Sequence, residues 1–535
     1  MTLRHPKIRT KGGFGTPVFP RFSAFSAHSP PPSLSQMGVK LRKNGKIFCS
    51  TKGKLVPLQA ENNHSLFSRI LSVKYRENTL QQYCTMTQTI KIRKGLDIRL
   101  AGVAAPTVDS LASSKVYALQ PDQFVGMTPK VVVKEGETVK RGTPLFVNKH
   151  YPDVRFASPV SGTVTNVVRG ERRKVLRVEI EADKEQQAER FDVPNLSSAG
   201  GEQICQLLLK AGLFGYLNQL PYAISATPDQ MPKGIFVSAL QDKPLAADFE
   251  MLLQGNEEAF QAGLTALSKI APVHLGIGSK QSARALTDAK DVSLYIFDGP
   301  CPAGNVGVQI NHISPINKGE TVWTADGMTV IFIGRLILTG EVDLRTRIAV
   351  AGSEVEKPCY VDTVVGQPLA DILHDRLNSD NHLRIINGNP LTGIIASMDG
   401  YLGAHSTEVT VIPEGDDRHE ILGWALPRMK EFSVSRSYFS WLAPRKKGYR
   451  LDARIKGGER HMIMSGEYDR VFPMDIYGEY LIKAIIAEDI DKMEQLGIYE
   501  VSPEDFALCE FVDSSKLPLQ QIVRNGLDML RKENA

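Results

Sequence analysis

The sequence predicts a multidomain α/β protein in which a small β module precedes a parallel α/β sheet. Three observations carry this. Residues 131–167, VVVKEGETVKRGTPLFVNKHYPDVRFASPVSGTVTNV, repeat the strand–turn–strand pattern of the barrel-sandwich modules that hold biotin or lipoate on a lysine. Residues 186–335 alternate strand-like and helix-like periods, the pattern of a parallel sheet with crossover helices. Residues 336–413 return to short strands around one helix, and the chain from 414 to 535 is more helical.

The 535 residues are enough for three or four domains. The first 85 differ from the rest. They hold 14 Lys and Arg against two acids, so the remainder has 64 − 14 = 50 basic and 59 − 2 = 57 acidic residues. The body is therefore mildly acidic although the whole chain is +5, which argues against nonspecific attraction to nucleic acid or other polyanions. Residues 1–85 are rich in Ser, Pro and Arg and lack a sustained period. We read them as lying upstream of a translation start at Met86, or as an unstructured extension, with an organelle transit peptide as the alternative. No apolar run approaches the roughly 18 residues of a membrane span. MTVIFIGRLILTG, the most apolar segment, is interrupted by Arg335.

In the expected barrel-sandwich module, 86–185, TIKIRKG and KVLRVEIEAD alternate with the period of half-buried strands. Gly136, Gly142, Gly162 and Gly170 mark turns where a tight hairpin needs a positive φ. In the α/β domain, 186–335, Ile204, Leu207, Leu208 and Ala211 lie on one face of a helix that ends near Gly212. GIFVSAL (234–240) has the continuous apolar run of a strand buried on both faces. A helix over 250–271, strands over 273–278 and 292–299, and a helix over SKQSARALTDA complete the alternation. In 336–413, TRIAVAG, KPCYVDTVVG and LRIINGNPLTG are strands and PLADILHDRL a helix, which suggests a β-grasp-like fold. In 414–535, Ser502-Pro-Glu-Asp505 reads as a helix start with Pro at N1 and an acid at N3. The last helix buries Leu519, Ile522, Val523 and Leu530.

The candidate chemistry is sparse. A carrier lysine must stand at the tip of a tight hairpin. Lys149 is in the right region, but its flanks are Asn148 and His150 rather than the small or thioether residues of carrier motifs, and Pro152 stretches the interval. A solvated surface lysine is the favoured reading. HLGIGSKQSA places Gly276 and Gly278 between a strand and a helix, the context of a phosphate loop, yet two glycines fit an ordinary turn better. The body's histidines (His150, His274, His312, His374, His382, His405, His419 and His461) show no i, i+4 pair with an acid between. Its four cysteines, Cys205, Cys301, Cys359 and Cys509, are isolated, which gives neither zinc nor iron–sulfur ligands at usual spacings. Asp416-Asp417 and Glu488-Asp489 read as solvated turns or helix starts. PCPAGNVGV (300–308) is more distinctive, because it follows a strand at the carboxyl end of the sheet, where ligands of parallel folds bind. Its Pro302, Ala303, Gly304 and Gly307 form a candidate ligand loop.

In this order, IKIRKGLDIRLAG, SPVSGTV, IFVSALQDKPLAAD, PAGNVG with INHISPINKGETVWT, and GEYDRVFPMDI resemble the A-type subunit family of the sodium-translocating NADH:quinone reductases (Na+-NQR), from about residue 89 to the end. The resemblance implies a lipoyl-type barrel-sandwich module, a Rossmann-like α/β domain, a soluble-ligand-binding β-grasp domain and a helical C-terminal region. It also implies kinship to the C-type subunit of the Rnf complex and to the NADH-binding flavoprotein subunit of complex I. Those relatives bind iron–sulfur clusters, and the complex I subunit also binds flavin. Here the stretch matching the flavin loop reads KAGLFGYLNQLPY, without its glycine run, and Cys509 has no neighbouring cluster cysteines.

The resemblance therefore implies a peripheral subunit with no flavin or iron–sulfur centre of its own, on the cytoplasmic face of the bacterial inner membrane. Its partners would be the B, C, D and E membrane subunits and the NADH-oxidising F-type subunit. The complex would use NADH, FMN, FAD, riboflavin, Fe–S centres and ubiquinone or menaquinone, and quinone itself is a candidate ligand of this chain. An uncharged apolar surface patch is expected where partners dock. Two other classes stand as alternatives: a biotin- or lipoate-carrying transferase subunit, and a free-standing soluble ligand-binding protein.

Overall fold

The computed structural model describes residues 88–378, 382–416, 426–442 and 448–534, together with strands at 39–41, 47–51 and 54–57. Two units separate at 84/85. In the first, Val39–Leu41, Ile47–Thr51 and Lys54–Pro57 pair as a three-stranded antiparallel sheet. The remaining readings of 1–85 fall outside the described residues, as do those on Met86, Asp417 and His419.

The second unit begins with the barrel sandwich. One sheet has the order 155–157, 144–148, 129–131; the other has the order 116–119, 175–182, 162–169, 138–139. Alternate residues face inward, so Leu145, Phe156, Val164, Val178 and Ile180 are fully buried. Gly136 and Gly142 take the positive φ expected of them, 83° and 100°. Gly162 does not; a Cβ there would stand 2.0 Å from the Glu181 carbonyl oxygen, so its role is close strand approach. At the Gly170 turn the positive φ falls on Arg172 and Arg173 instead. Two segments expected in this module join neighbouring sheets: Gln88–Lys91 extends the parallel sheet and Val108–Asp109 extends the third domain's sheet.

The α/β sheet has the order 224–225, 218–220, 322–326, 235–238, 273–278, 293–298, 88–91, parallel from 322–326 onward. Helix Gly201–Ala211 buries Ile204, Leu207, Leu208 and Ala211 and ends at Gly212, φ 74°. The helix expected over 250–271 is two, Phe249–Leu253 and Glu257–Ser268, because Gly255 at φ 80° breaks it. The helix expected over 279–289 shrinks to Arg284–Thr287.

The apolar segment is helix Gly327–Thr339, which runs through the expected boundary at 335/336. It crosses Glu257–Ser268 so closely that a Cβ on Gly334 would meet the Ala259 carbonyl at 1.6 Å, and one on Gly263 the Val330 carbonyl at 2.1 Å. Arg335 is accommodated because its guanidinium donates to Asn256 Oδ1 (2.6 Å) and to the carbonyl of Arg345 (2.5 Å).

The third domain is a mixed six-stranded sheet in the order 394–396, 383–387, 408–413, 345–351, 359–364, 108–109, with the short helix Leu369–Leu373 beside it. The C-terminal region is helical as expected from Gly478 onward, while its described residues 426–442 and 448–476 hold short 3-10 turns. The final helix, Leu519–Glu533, buries Leu519, Val523, Leu527 and Leu530, while Ile522 is only partly covered. No helix among the described residues is long and apolar enough to cross a membrane.

Candidate functional site

The carboxyl ends of strands 235–238, 273–278, 293–298 and 322–326 form the edge where a parallel α/β sheet binds ligands. Such an edge attracts anions because strands run into helix N-termini, whose amides lack intrahelical partners. At two of these helix starts the amides are met by the chain's own carboxylates. Asp326 caps helix Gly327–Thr339, accepting from the Thr329 N–H (2.6 Å) and hydroxyl (3.1 Å). Its other partner is His405 Nδ1 at 2.9 Å, delivered by the third domain. Burial raises the Asp326 carboxyl's pKa, but His405 and Thr329 outweigh burial and hold it below the ordinary value. Glu250 Oε1 accepts from both the Ser282 and Ala283 amides (2.6 Å each). This is the place where the Gly276–Gly278 stretch suggested a phosphate loop. Gly278 itself donates to Gln281 Oε1, a side chain of its own turn.

The candidate ligand loop is closed in the same way. Pro302, Ala303, Gly304 and Gly307 are all buried. Gly304 N–H donates to Asp242 Oδ2 (2.8 Å), and its carbonyl accepts from Ser238 Oγ (2.7 Å). Gln309 Nε2 donates to Ser238 Oγ and the Ala303 carbonyl. A Cβ on Gly307 would stand 2.3 Å from Asp505 Oδ2, so only glycine admits that carboxyl beside helix Val306–Ile313. Asp505 comes from the C-terminal region and closes the capping box with Ser502 that the sequence predicts. Asn305 Nδ2 donates to the Glu504 carbonyl (3.2 Å), a second tie between the loop and the same region.

Behind the loop lies a buried polar cluster. Lys243, whose side chain is 11% exposed, forms an ion pair with Glu504, 36% exposed, so the cluster meets solvent on the Glu504 side. Burial depresses the Lys243 ammonium's pKa, yet Glu504 and Asp242 more than reverse that and keep it charged. Burial raises the Asp242 carboxyl despite Lys243 and the Gly304 amide. Burial and then the Glu504 charge push Asp505 up to about 7. Burial, then Asp242, pushes the Cys301 thiol well above its ordinary value, which disfavours the thiolate. Asp242 Oδ1, Asn305 Oδ1 and Asp505 Oδ1 have no hydrogen-bond partner.

Lys149 is exposed on the hairpin 149–154, between strands Pro144–Asn148 and Arg155–Ala157. The hairpin is broader than a carrier turn. It is held by the Lys149 N–H on the Thr128 carbonyl (2.8 Å) and by the Tyr151 hydroxyl on Asp229 (3.0 Å). The four cysteines are buried and unpaired. Among the described residues no group of three or more His, Cys, Asp or Glu is placed to hold a metal ion. An open groove of ≈ 370 Å³ lies near the far end of helix Val306–Ile313, bordered by Ile316, Lys318, Glu494, Tyr499 and Glu500.

The sequence singled out the loop as a candidate but did not point to Asp326–His405, Glu250 or Lys243–Glu504. Each joins residues far apart in the chain, and no local spacing announces such pairs. Only the Ser502–Asp505 capping pattern was legible.

Three family models match in order: the NqrA N-terminal barrel-sandwich hybrid domain over residues 90–183, the NqrA second alpha/beta domain over 199–342, and the NQRA C-terminal domain over 347–397. The chain is 34% identical over 449 residues to the A-type subunit of the Na(+)-translocating NADH-quinone reductase of Yersinia pestis bv. Antiqua (strain Angola), covering 83% of this chain and 100% of that protein. It is 35% identical over 450 residues to the protein of the same name from Haemophilus influenzae (strain PittGG), with 83% and 100% covered. Among solved structures, an NAD+-reducing [NiFe]-hydrogenase in the H2-reduced state aligns with 41% of this chain and 48% of that chain, at 13% identity and a TM-score of 0.29.

Proposed function

Because this chain belongs to the NqrA family, the A-type subunits of the Na(+)-translocating NADH-quinone reductases, we propose that it is a peripheral, non-redox subunit of that complex. It supports electron transfer from NADH to quinone, coupled to Na+ export, near the quinone-reduction step. Flavins and iron–sulfur centres reside on other subunits. The chain docks on the B, C, D and E membrane subunits and on the NADH-oxidising F-type subunit, at the cytoplasmic face of the inner membrane.

The observation that carries this reading is the carboxyl edge of the parallel sheet. A bound nucleotide or flavin would place its phosphates against helix N-terminal amides there. Asp326 and Glu250 already accept from such amides, Asp242 accepts from the Gly304 N–H of the loop, and Asp505 of the C-terminal region packs against Gly307. A phosphate brought to this edge would compete with these carboxyls for the Thr329, Ser282, Ala283 and Gly304 amides. The fold is retained as a rigid scaffold on which partners assemble.

The test is purification of a C-terminally tagged chain from native membranes in mild detergent, with co-purifying proteins identified by mass spectrometry. Recovery of the membrane-embedded and NADH-oxidising subunits supports the reading. Recovery of the chain alone, or with a carboxylase or acyltransferase, overturns it.

A further inference from the structure

We propose that residues 426–442 form a lipid-contact loop that seats exposed aromatic and aliphatic side chains among the headgroups of an anionic membrane; the inference rests on the reading of this chain as a peripheral subunit of a membrane complex. The loop is built to hold its shape from inside. Phe439 N–H donates to the Pro427 carbonyl (2.9 Å) and closes the loop at its base. Tyr438 N–H donates to Ser433 Oγ (3.2 Å) within it. Phe432 points inward, its ring 5.5 Å from Tyr449 and 6.0 Å from Phe511, and Glu431 pairs with Lys456.

What the loop presents outward is the opposite of a solvated turn. Leu426, Met429, Val434, Phe439, Trp441 and Leu442 are 51%, 43%, 45%, 51%, 47% and 61% exposed. No other described segment of this length gathers as many exposed large hydrophobic side chains. Burying none of them in the chain's own core leaves apolar area that calls for a partner surface.

Charge selects the partner. Between 426 and 442 the basic residues are Arg428, Lys430 and Arg436, and the one acid, Glu431, is engaged with Lys456. The loop is thus basic on a body that is net acidic. The arginines lie beside the rings: Arg428 is 5.3 Å from the Tyr438 centroid and Arg436 5.7 Å from that of Trp441. Apolar rings flanked by cationic heads are the composition of an interfacial anchor, with rings at the headgroup level and Lys or Arg on the phosphates. A protein–protein interface core is depleted in Lys, whereas Lys430 here sits amid the apolar run. On an anionic surface Lys430 and Arg436 would each add roughly fivefold to the partition coefficient.

The test uses the full chain and two kinds of vesicle: phosphatidylglycerol with phosphatidylethanolamine, and phosphatidylcholine alone. The wild type is expected to float with the first and only weakly with the second. The triple variant Phe439→Ser, Trp441→Ser, Leu442→Ser alters only exposed positions, so it folds; its partitioning falls by about tenfold or more. Brominated lipid quenches tryptophan fluorescence of the wild type. In a Trp424→Phe background, where Trp441 and the fully buried Trp323 remain, it still quenches, and adding Trp441→Phe removes the quenching without stopping flotation. Equal flotation of wild type and triple variant overturns the proposal. So does a wild type that ignores both vesicles while the triple variant loses its partner subunits, which would make the loop a protein interface. Failed flotation with co-purification of the membrane subunits intact overturns the lipid inference alone; failed co-purification overturns the reading of the chain as part of the complex.

Discussion

Replacing Asp505 with Asn should stabilise the contact between the 302–307 loop and the C-terminal helices, and the gain should grow with pH. Asp505 is 2% exposed and its carboxyl sits near about 7 against an ordinary 3.8, chiefly through burial. Across that window the folded chain holds a proton that the unfolded chain has released. Stability is therefore fully present below the unfolded value, falls as pH rises, and bears the full cost above about pH 7. At ~1.4 kcal/mol per pH unit the cost approaches about 4 kcal/mol at high pH. Asn removes the charge and keeps a carbonyl to accept from Ser502. The assay is amide hydrogen exchange of peptides spanning 498–512, corrected for intrinsic rates, at about pH 5 and about pH 8. The variant should gain roughly 2–3 kcal/mol more protection at the higher pH than at the lower one. A gain equal at both pH values, or none, would refute the claim that a buried ionisation strains this contact.

Other perturbations probe the same edge and the scaffold behind it. Lys243→Met leaves Asp242 and Glu504 without their shared cation and should cost about 2–4 kcal/mol in urea denaturation. Asp326→Asn keeps a cap on helix Gly327–Thr339 but loses the charge paired with His405. Because the Asp326 carboxyl is held below its ordinary value, the wild type's advantage should be present near neutral pH and vanish as pH falls through that depressed value; denaturation curves at acid and neutral pH check this. Gly334→Ala should cost at least about 2 kcal/mol despite alanine's better helix propensity, since its Cβ would meet the Ala259 carbonyl at 1.6 Å; a lowered thermal midpoint by circular dichroism is the readout. Intact-mass measurement of the native chain should show no adduct on Lys149, and a biotinyl or lipoyl increment there would revive the carrier reading.

Local pattern carried much of the fold into view. The 3.6-residue period of Ile204, Leu207, Leu208 and Ala211 and the stop at Gly212 mark a real helix, because one face must meet the core. The apolar run GIFVSAL marks the strand Ile235–Ser238 covered on both sides. What local pattern did not reveal were long-range choices. Gln88–Lys91 has the alternation of any half-buried strand, and nothing in it says that it pairs with Ser293–Asp298 instead of the nearby module. The described residues 426–442 and 448–476 are tied together by contacts such as Phe432 with Phe511 and Glu431 with Lys456, which no local period announces. At the site, PAGNVG reads as a candidate ligand loop, and its glycines instead sit against side chains of the chain itself. The motif does not reveal that these are Asp242 and Asp505.

The most direct measurement of the central claim is the flavin and iron content of the tagged chain after it is separated from its co-purified partners. The account predicts that the chain alone shows no flavin absorbance and no stoichiometric iron, while the partner fraction carries both. Stoichiometric flavin on the isolated chain would contradict it, since one of the carboxylates at the sheet edge would then have to move aside to admit a phosphate.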